Sequence, residues 1–86
     1  MYVFLSMSNL QTGKNIGCCI VKANTEEQAI KQVEKLHLIP ETCDNIKMFQ
    51  LDEKEFKAQN MDLDTFYSRD EMKQKGFQSE SVQIEV

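Results

Sequence analysis

Tryptophan is absent from this 86-residue chain, proline and arginine each occur once, and glycine stands at three isolated positions, 13, 17 and 76. Glycines so scattered supply no phosphate-cradling loop of the nucleotide-binding kind. With Arg69 the sole arginine beside nine lysines, there is no basic stripe interleaved with aromatics, which argues against direct binding of DNA or RNA. No apolar run approaches the roughly 18 residues that a membrane helix requires. The opening MYVFLSM is apolar but lacks the basic start and the small-residue cleavage site of a secretion signal. These absences predict a soluble cytoplasmic protein without membrane contact. The preference for lysine, asparagine and glutamine points to an AT-rich genome, bacterial or phage.

Cysteine is also scarce, and its count of three is odd, so the cysteines cannot all pair within one chain and a reducing compartment is the simpler expectation. Cys18 and Cys19 are neighbours in a strand-like run. Strand alternation sends them to opposite faces, which prevents them from chelating one metal together, and a disulfide between neighbours would strain the backbone. Adding His37 and Cys43 gives no paired zinc spacing. Cys43, in a loop, is the candidate reactive thiol, and His37 is the only imidazole that could assist it, but no orienting third group or oxyanion site accompanies them. The sequence therefore names no catalytic residue, metal ligand or cofactor.

What the chain does contain is ordinary for a globular protein, with 41% hydrophobic and 28% charged residues, enough for one small domain spanning residues 1–86. YVFLSMS and IGCCIVKA are runs of β-branched, aromatic and small apolar side chains separated by the turn chemistry of Thr12-Gly13-Lys14-Asn15. They predict a hairpin of central strands covered on both faces. Thr25 and Gln28 have capping-box spacing, Glu26 and Glu27 suit a helix start, and Ala29, Ile30, Val33 and Leu36 recur at helical spacing. That helix should stop near His37, ahead of Pro40. IKMFQLD predicts a third strand and the alternating SVQIEV a fourth, an edge strand through which a homodimer could form. Between these strands, DEKEFKAQN can make two helical turns. Ser68 and Glu71 form a second capping box, Tyr67 and Met72 occupy staple positions, and Gly76 suits a helix stop. The expected fold is α+β in the order β-β-α-β-α-α-β, a four-stranded and largely antiparallel sheet with one main helix on a face and the helical pair of 53 to 75 at an end or edge.

Charge is distributed unevenly along this frame. Residues 52 to 71 hold seven acids against three bases, and the flanking segments are each balanced, so the formal charge of −4 resides in that one segment. One explanation is a solvated helix pair with acids placed at helix starts. The other is a recognition surface for a macromolecular partner, most naturally a protein, in which Asp62, Asp64, Asp70 and Glu71 supply charge while Phe66 and Tyr67 act as apolar anchors. The expected function is a small non-enzymatic binding or regulatory module of the second kind, phage-encoded or accessory. Two alternatives belong to other classes. Asn60, Asp62, Asp64, Ser68 and Glu71 match the oxygen-ligand spacing of a helix-loop-helix calcium site, but Asn60 stands where that motif has aspartate and Thr65 where its sharp turn has glycine. A thiol-based redox protein would use Cys43.

Overall fold

The computed structural model describes residues 1–75, within which the chain folds as an α+β protein with a four-stranded sheet. Strand β1 (Tyr2–Asn9) and strand β2 (Lys14–Lys22) form the expected hairpin. Gly13, at a φ of +69°, donates its N–H to the Asn9 carbonyl across the turn, a left-handed conformation that costs glycine nothing. Helix α1 (Glu26–Lys35), strand β3 (Asn45–Leu51), helix α2 (Glu53–Gln59), strand β4 (Tyr67–Ser68) and helix α3 (Arg69–Lys75) follow. The sheet order is β3-β1-β2-β4, with antiparallel neighbours throughout, so the two apolar runs of the hairpin are the central strands.

Alternation along those central strands divides the core in two. Val3, Leu5, Met7, Cys19 and Val21 point to one face and meet Ala29 and Val33 of α1. Phe4, Cys18 and Ile20 point to the other and meet Leu51, Met61, Tyr67 and Met72. A strand buried on both faces has no polar positions to spare, which is why these runs read as continuously apolar. Each fully buried Phe4, Leu5 or Ile20 contributes about 1.5–3 kcal/mol by leaving water.

α1 begins at the expected cap, with the Thr25 hydroxyl accepting the Gln28 N–H at 3.1 Å. The Gln28 side chain reaches one residue beyond the cap and accepts the Asn24 N–H. The helix ends just short of the expected position, for a reason independent of Pro40. His37 adopts a left-handed conformation (φ 56°), its N–H bonds to the Glu34 carbonyl, and the Leu38 N–H bonds to that of Val33. This is the paired closure that turns a helix end back on itself, with Leu38 and Val33 sharing one apolar cluster beneath it.

The 53 to 75 segment does reach the sheet edge, where Tyr67 pairs with Cys18 and Ser68 with Gly17. It also packs against the second face, beyond the end or edge position expected of it. Phe56 of α2 stacks on Tyr2 with ring centroids 4.2 Å apart, and Met72 of α3 brings its sulfur within 3.1 Å of the Cys18 thiol. The fourth strand of the described sheet is therefore the two-residue β4. The expected strand at 81–86, and the dimer edge assigned to it, lie outside the described residues.

Candidate acidic surface at the β2 edge

The acidic segment starts at the α2 cap. The Asp52 carboxylate accepts the Glu55 N–H at 2.7 Å, and Glu55 returns the bond to the Asp52 N–H at 3.0 Å. Glu53 pairs with Lys57 one turn on, at 3.5 Å, with both side chains well exposed. Such a pair is worth a few tenths of a kcal/mol. Three of the seven acids thus serve α2 itself.

Beyond Asn60, which closes α2 in a left-handed conformation (φ 54°), the chain threads over the open edge of β2. Met61 and Leu63 turn to the α2/α3 face, and Leu63 makes a single bridge to Ile20. Asp64 then takes a second left-handed turn (φ 57°) while its N–H bonds to the Ile20 carbonyl at 2.9 Å. Phe66 crosses to the α1 face, and Tyr67 returns to the other. Gly17 makes this crossing possible. A Cβ there would lie 2.5 Å from the Phe66 Cζ and closer still to the Tyr67 carbonyl oxygen.

The acidic side chains remain outside this crossing. Asp62, Asp64, Asp70 and Glu71 are all exposed. Glu71 and Ser68 form the expected reciprocal box, each bond 3.2 Å long. Asp64 accepts a long 3.5 Å bond from the Gln32 amide of α1. Among the described residues the ion pairs are Glu27–Lys31 and Glu53–Lys57, and none of these four carboxylates is paired with a described lysine or arginine side chain. The two aromatics behave differently. Phe66 is half-buried, whereas Tyr67 is 4% exposed and its hydroxyl accepts the Asp62 N–H at 3.0 Å. The surface-anchor role expected of Tyr67 is therefore corrected: it staples α3 and fixes the loop that carries Asp62 from inside.

The calcium spacing does not form a continuous loop. Asn60 is a helix cap, Ser68 lies on the sheet, and Ser68 and Glu71 are occupied with each other. Among the described residues no three carboxylate, imidazole or thiol side chains converge as metal ligands. Cys18 and Cys19 are fully buried on opposite faces, as alternation requires. Burial pushes the Cys18 thiol well above its ordinary range, and its neighbour Cys19 adds to the shift. Burial likewise pushes Cys19 up to about 12, helped by the Asp64 charge. Neither is a ready nucleophile. Cys43 is half-buried, its thiol 3.4 Å from the Asn45 carbonyl, while His37 caps a helix in the open.

Two features escaped the sequence reading. A shallow groove of about 310 Å³ runs between the end of β2 and α1, lined by Lys22, Gln28, Lys31, Gln32 and Lys35. The Lys22 ammonium sits 5.9 Å over the Tyr2 ring, and Lys31 pairs with Glu27 at 3.5 Å. The other is a buried polar pair, Asn15 with Ser6, at the far end of the α2/α3 face. A lone asparagine beside a turn gave no signal for it. Compared with protein-family models, with curated proteins and with solved structures, the chain matches none.

Proposed function

We propose that the protein is a non-enzymatic binding module that presents an acidic rim along the β2/β4 edge to a basic macromolecular partner, most naturally a protein. One observation carries the reading. Asp62 and Asp64 precede β4 and Asp70 and Glu71 follow it, all four exposed beside one sheet edge and none neutralised by a basic side chain among the described residues. Unscreened like charges on a rigid edge raise association rates with a basic surface and select against acidic ones. Phe66, half-buried at the crossing, adds the apolar contact such a rim needs at its centre.

The test exploits how tolerant these positions are. Asparagine at 64 keeps the left-handed turn, and glutamine at 71 keeps the capping box. The variant Asp62→Asn, Asp64→Asn, Asp70→Asn, Glu71→Gln should therefore fold like the parent and lose only charge. Immobilised parent protein is expected to retain from cell lysate a set of basic proteins that salt releases, and the quadruple variant to retain far less of it. Equal retention by the two, or retention insensitive to salt, removes the proposal.

A further inference from the structure

Beside the acidic rim lies a surface of the opposite sign. Gln28, Lys31, Gln32 and Lys35 stand on one stripe of α1, spaced three and four residues apart, and with Lys22 and Ala23 at the end of β2 they line the groove of about 310 Å³. No carboxylate lines it. All three lysines are exposed, and Lys35 has no ion pair among the described residues. The Lys22 contact with the Tyr2 ring leaves the ammonium charge intact. The Glu27–Lys31 pair lies on the surface, with both side chains largely in water, so a partner's carboxylate can replace Glu27 at little cost.

Groove and rim share a border. Asp64 hangs from the Ile20 carbonyl, two residues before Lys22 on β2, and its carboxylate takes the long bond from Gln32, a residue of the groove wall. Ala23 on the groove side and Phe66 on the rim side are half-buried against one apolar cluster. Among the described residues no lysine of the groove is ion-paired with an acid of the rim. Two adjoining patches of opposite sign that leave each other unpaired are complementary to themselves. A copy turned by a two-fold rotation about the border lays its rim in this groove and offers its own groove to this rim. We infer that the partner of the acidic rim is a second copy of this chain, the two pairing rim to groove around Gln32 and Phe66.

Pairing of this kind rests on the rim being a recognition surface, as proposed above, and supplies what meets it. Each chain carries a formal charge of −4, so two copies repel at long range and attract only where the patches align. The carboxylates of one copy and the ammonium groups of the other meet at the margin, where salt screens them. Ala23 and Phe66 lie nearer the axis, the place where apolar contact contributes most.

Sedimentation equilibrium of the full chain over a concentration series provides the test. The parent protein is expected to approach the mass of two chains, with an association that weakens about tenfold or more when salt is raised from about 0.05 to about 0.5 M. The groove variant Lys31→Glu, Lys35→Glu and the rim variant Asp62→Lys, Asp64→Asn, Asp70→Lys, Glu71→Gln should each stay monomeric by themselves. Mixed in equal amounts they should restore the dimer, because the reversed groove then meets the reversed rim while the unchanged groove meets the unchanged rim. Restoration also shows that both variants fold. Lys14→Glu with Lys47→Glu has the net charge of the groove variant but lies at the opposite end of the sheet from Lys22, and should still dimerise. A parent that remains a single chain at every concentration overturns the inference, as does a dimer that neither variant weakens, or a pair of variants that fail to restore each other. None of these results alters the retention of basic proteins from lysate, which tests the rim itself.

Discussion

The two faces of the sheet are closed by different means. The α1 face is covered by one ten-residue helix laid on aliphatic side chains, capped at both ends by groups adjacent in sequence. The other face is covered by two seven-residue helices and a crossing loop, and it relies on aromatic stacking, sulfur contacts and a buried tyrosine hydroxyl. Short helices are marginal by themselves. The second face therefore stands only while its long-range contacts hold. One side of the sheet is closed mainly by local structure, and the other by contacts distant in sequence.

The largest test of this contrast is truncation on each side. Phe4→Ala and Leu5→Ala each remove a fully buried side chain and should cost about 3–5 and 2–5 kcal/mol respectively in urea unfolding. Only the Phe4 variant should also loosen the 53–75 segment, read as faster amide exchange there. Uniform loss of protection in both variants would erase the distinction between the faces. Gly17→Ala, with no room for its methyl between Phe66 and the Tyr67 carbonyl, should cost about 3 kcal/mol and detach β4. A neutral outcome would mean that the crossing yields easily.

How much of this was legible in the sequence follows the same division. The hairpin, α1 with its Thr25 cap, β3 and the Ser68–Glu71 box are local, and their residues announced them. β4 was hidden because two residues show no periodicity, and Tyr67 had already been read as a staple. The Asp52–Glu55 box had a readable signal in its three-residue spacing, the same pattern found at Ser68. Gly17 had one too, since an isolated glycine inside a strand marks a bulge or a close backbone approach. Which acids face which surface was not readable, because Asp64 meets Gln32 only once the chain has crossed the β2 edge.

Caps provide a finer comparison. Thr25→Ala on one face and Ser68→Ala on the other should each cost about 1 kcal/mol. If helix closure alone held the second face, the Ser68 change would cost several times more than the Thr25 change. His37→Gly should raise stability by about 0.5–1 kcal/mol, since glycine takes the left-handed closure of α1 without the Cβ penalty. A loss instead would reveal a side-chain contact that outweighs the strain.

The smallest effect at neutral pH comes from the thiols, because it is absent there. The folded pKa of Cys19 is raised, so the stability linked to its neutral form is complete below about pH 9 and drains as pH rises toward about 12. An unfolding midpoint flat across that interval would contradict the burial. At neutral pH a thiol reagent should label Cys43 first, then Cys18, then Cys19, because local opening of the two-helix face costs less than lifting α1. Equal rates for the buried pair would mean that the two faces open as one.

The bare backbone at Gly17 has one more consequence. Sliding the Tyr67–Ser68 pairing by a single residue would bring the Phe66 ring onto Ile16 or Cys18, both of which carry side chains, so the wrong alignment is rejected by bulk. One residue inserted between Phe66 and Ser68 would therefore misthread the edge.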